Sequence, residues 1–290
     1  MKTKLNKIAN DTNIFLKKFL NKQNNSKLLP AMKYGLFPGG KKIRSKILID
    51  IGSLLAIDYK TLIAIGAAVE CIHAYSLIHD DLPCMDNDKI RRGKPSAHIK
   101  FGESTAVLAG NSLLTMAFEI LSSPTLKISE RIKINLIKKL SECSGHLGIA
   151  GGQYLDLSYE KKKISKNKII EMEIKKTGKL FSFCFYAVGV VANKSNKEKI
   201  VLSDLGEEIG LLFQLADDFL DVKGSKKLVG KPVKKDSKKG KSTLLNLIGE
   251  RKAYMYAYNI KKKILLKLKK HGKKAKDLTN TIEFILGRNF

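Results

Sequence analysis

The chain contains no tryptophan, and aromatic residues make up only 7% of it. Base-stacking platforms of the kind that bind single-stranded nucleic acid need aromatic rings at regular intervals, and none stand out. Cysteine is scarce too. Cys71, Cys84, Cys143 and Cys184 are widely spaced and form no CxxC pair, which argues against a zinc site or a disulfide framework and for reduced thiols. Uninterrupted apolar runs of ~18 residues, the length that spans a bilayer, are missing. The nearest approach, Leu62–Ile78, carries Glu70 and His73 and reads as a buried core helix, so no integral membrane segment is expected. The N-terminal MKTKLNKIANDTN lacks the apolar core of a signal peptide, and the expected location is cytoplasmic. Acidic residues are in short supply: 27 Asp and Glu against 55 Lys and Arg give a formal net charge of +28. A strongly basic chain raises the prospect of nucleic acid as a partner. The excess is nearly all lysine, however, and it travels with Ile and Asn, which share A+T-rich codons. Without an Arg-rich reading face or stacking aromatics, a non-catalytic basic helical protein that binds nucleic acid is the distant alternative, and no nucleic acid is expected as a partner.

Apolar residues recur at helical spacing. Helices are predicted over 5–22, 41–57, 60–79, 103–122, 129–150, 166–193, 198–222, 243–270 and 276–287. There is no β-α-β rhythm, no alternating strand and no Gly-rich phosphate loop. The breakers fall between the predicted helices, at Phe37-Pro38-Gly39-Gly40, Leu82-Pro83, Gly93-Lys94-Pro95 and Gly224 to Gly240. No Pro- or Ser-rich linker divides the chain. The expectation is one all-α domain over 1–290, with a flexible lysine-rich loop at about 223–241.

Against this basic background two acidic clusters stand out. The first, Ser76-Leu-Ile-His-Asp80-Asp81-Leu-Pro-Cys-Met-Asp86-Asn-Asp88, ends an apolar helix and is followed directly by Arg91 and Arg92. Pro83 lacks an N–H and clashes with the preceding turn, so the helix stops and Asp86 is delivered by a bend. The second, Gln214-Leu-Ala-Asp217-Asp218-Phe-Leu-Asp221, lies 137 positions later, with Asp217 and Asp221 four apart on one helical face. Carboxylates gathered at the mouth of an apolar cavity repel unless cations intervene. Oxygen ligands without thiolate suit a hard ion, and Mg²⁺ fits best because it fills its octahedron with water and phosphate oxygens. The ion in turn attracts a polyanion such as a diphosphate.

Six motifs in order carry a resemblance: Gly39-Gly40-Lys41-Lys42-Ile43-Arg44, HDDLPCMDNDKIRRGKPSAH over 79–98, Gly152-Gln153 with Asp156, Lys176-Thr177-Gly178, QLADDFLD over 214–221, and Gly230-Lys231 with Gly240-Lys241-Ser242-Thr243. On these the chain resembles the trans-isoprenyl diphosphate synthases, most closely the bacterial farnesyl diphosphate synthases. The resemblance implies an all-α isoprenoid-synthase-type helical bundle around a central apolar cavity, usually a homodimer. It implies condensation of isopentenyl diphosphate with dimethylallyl and geranyl diphosphate to give farnesyl diphosphate and diphosphate, with about three Mg²⁺ per active site. Asp80, Asp81 and Asp86 then resemble metal ligands of the first motif, and Asp217, Asp218 and Asp221 those of the second. Arg91, Lys176, Lys231 and Lys241 resemble contacts to the allylic diphosphate. Lys41, Arg44, His73 and Arg92 resemble the isopentenyl diphosphate pocket. Thr177 and Gln214 resemble the groups whose oxygen dipoles face the allylic cation. The lysine-rich loop would act as a lid that excludes water.

The sequence departs from the family pattern at Ser45, where a proline is common, and at Lys179, Phe181 and Phe183, where smaller aliphatic residues are usual. Tyr75 and Ser76, five and four positions before Asp80, lie about one helical turn below it and are the candidates for setting product length. A geranyl or geranylgeranyl diphosphate synthase is the alternative. A terpene cyclase would have no need of the second cationic pocket formed by Lys41, Arg44 and Arg92.

Overall fold

The computed structural model describes residues 2–22, 26–223 and 241–287, with the side chains of Lys2 and Lys223 left aside. Lys231 and nearly all of the lysine-rich loop therefore lie outside the described residues. The rest is almost entirely helical, as the spacing of apolar residues predicts. The chain divides into two compact units, Met1–Lys138 with Val190–Ala192, and Lys139–Gly189 with Asn193–Phe290.

In the first unit, α1 (Lys2–Asn21), α2 (Leu29–Leu36), α3 (Ile43–Leu54) and α6 (Glu103–Ser122) surround α4 (Tyr59–Asp80). α4 is apolar on every side, and buried residues run along it from Thr61 to Ile78. Such a helix belongs at the centre of a bundle. Its start is set by Asp58, whose carboxylate accepts the Thr61 N–H at 2.9 Å, a regular N-cap. Its end is Asp80, where Pro83 stops propagation. By length and hydropathy both α4 and α6 could span a bilayer. α4 is spent on the core of its unit, whereas α6 leaves Val107 and Leu108 exposed.

Between α4 and α5 (Ala97–Phe101) the chain forms a two-residue hairpin, β1 (Ile90–Arg91) paired antiparallel with β2 (Lys94–Pro95). The Arg92-Gly93 turn has φ of +53° and +76°, the left-handed pair that matches strand twist. Two-residue strands are too short to show alternation, so this element was not legible in the sequence.

α7 (Glu130–Ser144) carries the boundary between the units. The second unit contains α8 (Ile149–Ser158), α9 (Lys166–Glu173), a π-helical turn (Ile174–Gly178), α10 (Lys179–Val191) up to Gly189, α11 (Asn196–Lys223), α12 (Leu244–Ile248), α13 (Glu250–Lys269) and α14 (Lys276–Gly287). α11 is its hub and touches the π turn, α9, α12, α13 and α14. Three predicted helices are broken. The run 129–150 breaks at Gly145–Gly148 before α8, 166–193 contains the π turn, and 243–270 is split by Gly249 at φ +79°.

Candidate active site

The first acidic cluster is built by backbone as much as by side chain. After α4 ends, the Asp86 N–H donates to the Asp80 carbonyl at 2.8 Å and the Asp88 N–H to the Asp81 carbonyl at 3.1 Å. The bend thus folds Asp86 back onto Asp80, as Pro83 requires. Asp80 and Asp86 are half-buried, whereas Asp81 and Asp88 are buried. The division has a cause. Arg91, presented by the hairpin, grips both Asp81 carboxylate oxygens, with Nε 3.1 Å from each and a further short contact from its terminal nitrogen. It also lies 3.9 Å from Asp88. Burial opposes charge on Arg91, but the bond to Asp81 and the charges of Asp81, Asp80 and Asp86 outweigh it and raise its pKa. A planar guanidinium suits this two-oxygen grip.

Arg92, the next residue, turns to the opposite partner and donates to the Gly39 carbonyl. Gly40, at φ +116°, is the place where its guanidinium lies, and a Cβ there would sit 2.0 Å from an Arg92 nitrogen. The double glycine is therefore a seat for Arg92. Beside it, Lys42 at φ +46° starts α3, donates to the Leu36 carbonyl at 3.0 Å and lies 3.6 Å from Glu70. Glu70 in turn accepts the Ser45 N–H and hydroxyl, both at 3.2 Å. Proline at position 45 could not donate that N–H, so the departure at Ser45 has a structural partner. Lys41 is exposed and Arg44 half-buried.

His73 registers this concentration of positive charge. Burial, and then Arg44, Arg92, Lys42 and Arg91, push its pKa well below the ordinary value and keep the imidazole neutral. The first unit thus brings a cluster of cations near His73 together with the half-buried carboxylates of Asp80 and Asp86. Tyr75 is buried, with its ring edge-on to His79 at 5.6 Å. Burial and Asp80 raise its phenol to about 12. Ser76 is buried and donates to the His73 carbonyl at 3.0 Å.

In the second unit the π turn presents Lys176 and Thr177. Single π turns inside α-helices are frequent at functional sites, because the extra residue re-aims the side chains around it. Two close approaches hold this one. A Cβ on Gly152 of α8 would lie 2.2 Å from the Lys176 backbone nitrogen, and one on Gly210 of α11 would lie 2.6 Å from the Gly178 Cα. The approach of α11 puts Gln214 beside Thr177, whose hydroxyl donates to Gln214 Oε1 at 2.8 Å. The Gln214 amide passes the contact on to Asp218 Oδ1 at 2.7 Å. Asp218 and Asp221 are buried, whereas Asp217 is half-buried.

Asp156 binds two of the predicted diphosphate lysines, Lys176 at 2.5 Å and Lys241 at 3.1 Å. Burial would raise its pKa, but Lys176 and Lys241 outweigh that and hold it at about 2. Nearby, Glu173 is pushed up to about 8 by burial, only partly offset by the Leu244 N–H and reinforced by Asp156. Asp156 was visible in the sequence only as part of a motif, and Glu173 was missed. The spacing Gly152-Gln153-x-x-Asp156, which puts one helical face toward the π turn, was the available signal. At the departures, Lys179 pairs with Glu207 of α11 at 2.6 Å, and Phe181 packs on Phe213 at 5.3 Å.

Comparison with known proteins bears directly on these features. A profile of the polyprenyl synthetase family, described as "Polyprenyl synthetase", matches residues 25–284. The chain belongs to the polyprenyl synthetase family. By class it is an isoprenyl diphosphate synthase. This polyprenyl synthetase is 39% identical over 270 residues to the farnesyl diphosphate synthase of Escherichia coli K12, covering 91% of this chain and 90% of that protein. Among solved structures it is similar to an FPP/GFPP synthase from Zymomonas mobilis (TM-score 0.88, 34% identity, 98% of each chain). It is also similar to a geranyltransferase of Helicobacter pylori solved with magnesium and isoprenyl diphosphate (TM-score 0.82, 31% identity, 99% of this chain and 98% of that one).

Proposed function

We propose that this polyprenyl synthetase joins isopentenyl diphosphate to dimethylallyl and then geranyl diphosphate, releasing farnesyl diphosphate and inorganic diphosphate. The observation that carries the reading is the pairing, within one unit, of half-buried Asp80 and Asp86 with a cluster of cations, Lys42, Arg44, Arg91 and Arg92, whose charges add to burial in keeping His73 neutral. A site that must seat both a divalent cation and a polyanion needs both signs of charge. The activities of its relatives agree with it.

The donor set fits Mg²⁺. Asp80 and Asp86 in the first unit, and Asp217 in the second, offer carboxylate oxygen alone. Such oxygen ligands suit an ion which takes one or two carboxylates and completes its shell with water and substrate phosphate. Asp80, Asp86 and Asp217 would hold Mg²⁺, with Asp81, Asp218 and Asp221 in support, and about three ions per site by family resemblance. When bound, the ions neutralise charge growing on the departing diphosphate.

The chain's own groups do the rest. Lys41, Arg44, Arg92 and His73 bind isopentenyl diphosphate. Arg91, Lys176 and Lys241, with Lys231, bind the allylic diphosphate, and Lys176 and Lys241 do so by exchanging Asp156 for phosphate oxygens. Loss of the allylic C–O bond leaves a cation that the isopentenyl double bond attacks. Thr177 and Gln214 face that cation with oxygen dipoles. The released diphosphate takes the final proton, so no catalytic Ser, Cys or His is needed. Tyr75 and Ser76 set the depth available to the growing chain. The chain works as one polyprenyl synthetase domain, in keeping with the single family match over 25–284. The exposed Val107 and Leu108 on α6 support a homodimer, and the four free cysteines support a cytoplasmic location.

Asp80→Ala and Asp217→Ala are expected to lower turnover by several orders of magnitude, because metal-site electrostatics contribute several kcal/mol. The far-ultraviolet circular dichroism of both should stay native. Near-normal diphosphate release in both variants would refute the assignment.

A further inference from the structure

We propose that the outward face of α13 is a docking surface for anionic phospholipid bilayers. Arg251, Met255, Tyr258, Lys262, Leu266 and Lys269 follow one another at steps of three and four, so they share one face of the helix. All six are exposed, and the apolar members are strongly so: Met255 51%, Tyr258 45% and Leu266 61%. The opposite face, with Ala253, Ala257, Ile264 and Leu268, is buried in the unit. α13 therefore has a second apolar stripe in addition to the one its core requires. Cations alternate with the apolar groups along this second stripe, and no acid interrupts it.

The surroundings reinforce the pattern. Residues 261–276 include nine lysines and neither Asp nor Glu. Lys263 and Lys267 are occupied by Glu208, each at 2.7 Å, while Lys262, Lys269, Lys270, Lys273, Lys274 and Lys276 face solvent. A groove of about 570 Å³ runs along the stripe, lined by Tyr258, Leu265 and Leu266 together with Lys261, Lys262 and Lys269. Among the described residues, Glu283 is the one carboxylate on its wall.

Charge by itself would suit any polyanion, and this chain is basic throughout. The interleaving decides the occupant. Exposed Met, Tyr and Leu gain nothing from a phosphodiester backbone but gain from hydrocarbon at the headgroup boundary. Lysine stems can lie along the same apolar surface while their ammonium groups reach lipid phosphates.

The absence of tryptophan supplies the test. Leu266→Trp, in the full-length chain, places a single reporter on the stripe. Ile14→Trp places one at another exposed apolar position on a lysine-rich helix, α1. With vesicles of phosphatidylglycerol and phosphatidylcholine, Leu266→Trp emission should shift to the blue and be quenched by brominated acyl chains, while Ile14→Trp stays unchanged. Lys262→Glu combined with Lys269→Glu should weaken vesicle binding about tenfold or more, with turnover on water-soluble substrates unaltered. Met255→Trp serves as the reporter if Leu266→Trp does not fold. The proposal is overturned by no shift on the stripe, by an equal shift at position 14, by an equal shift with pure phosphatidylcholine, or by a shift that duplex DNA reproduces without vesicles. Because turnover is read separately, failure of docking and failure of the enzymatic reading are distinct outcomes.

Discussion

Glu173 and Asp156 share a neighbourhood and hold opposite charge preferences, and the difference lies in their partners. Asp156 has two lysines, whereas Glu173 has a single backbone N–H and a carboxylate nearby. In the folded chain Glu173 keeps its proton up to about pH 8, whereas in the unfolded chain it loses it near ~4.3. Between those values the folded state binds a proton that the unfolded state does not, so stability falls as pH rises through that window and stays reduced above it. Glu173→Gln, which keeps an acceptor for the Leu244 N–H, should have little effect at pH 4.5. It should stabilise the protein by roughly 1–3 kcal/mol at pH 8.5. Urea midpoints at the two pH values measure this, and a difference that does not change with pH would contradict it. Tyr75 and Ser76 carry the second prediction at this scale. Tyr75→Ala should lengthen the product by deepening the apolar floor, and Ser76→Phe should shorten it. Unchanged product profiles by chromatography in both variants would remove the steric account. The carboxylates, Arg91 and Arg92 were legible in the sequence because their residue types are costly to cluster without a cation or an anion to answer them. Glu173 was not legible, since a single Glu at the end of a helix carries no sign of its burial.

At the scale of elements, the π turn and the start of α10 are held against α11 by missing side chains. A Cβ on Gly206 would meet the Phe181 carbonyl at 2.7 Å, and one on Gly210 would meet the Gly178 Cα at 2.6 Å. Both contacts are with backbone and cannot be relieved by a rotamer change. Gly210→Ala should push α11 away from the turn, break the Thr177–Gln214–Asp218 relay, cost about 1–3 kcal/mol of stability and lower kcat more than it raises KM. Wild-type kcat in this variant would show that the relay does not matter for turnover. Helices were readable where the 3.6-residue period ran unbroken, as in α6 and α11, and α4 was readable as a long apolar run. α2 and α5 are short, and the β1–β2 hairpin has two residues per strand, so period offers no signal in them. In the sequence the π turn reads as part of one long helix because its composition is helical. Only the close approach at Gly152 and Gly210 forces the extra residue.

For the whole molecule, charge is the dominant quantity. At +28 the chain repels itself and attracts polyanions at low ionic strength. That attraction is general, whereas the carboxylate clusters are local exceptions to it. They made the reaction class legible from sequence, since a basic chain has little reason to keep seven aspartates (Asp80, Asp81, Asp86, Asp88, Asp217, Asp218 and Asp221) in two short stretches unless they bind something. Product length was less legible, because it depends on the depth of an apolar space and not on a motif. The most direct test is to incubate the purified protein with isopentenyl and dimethylallyl diphosphates, with and without Mg²⁺, and to size the prenyl products. The account predicts a fifteen-carbon diphosphate ester, formed with Mg²⁺ and abolished by chelation. No elongated product with Mg²⁺ present, or equal product after chelation, would contradict it.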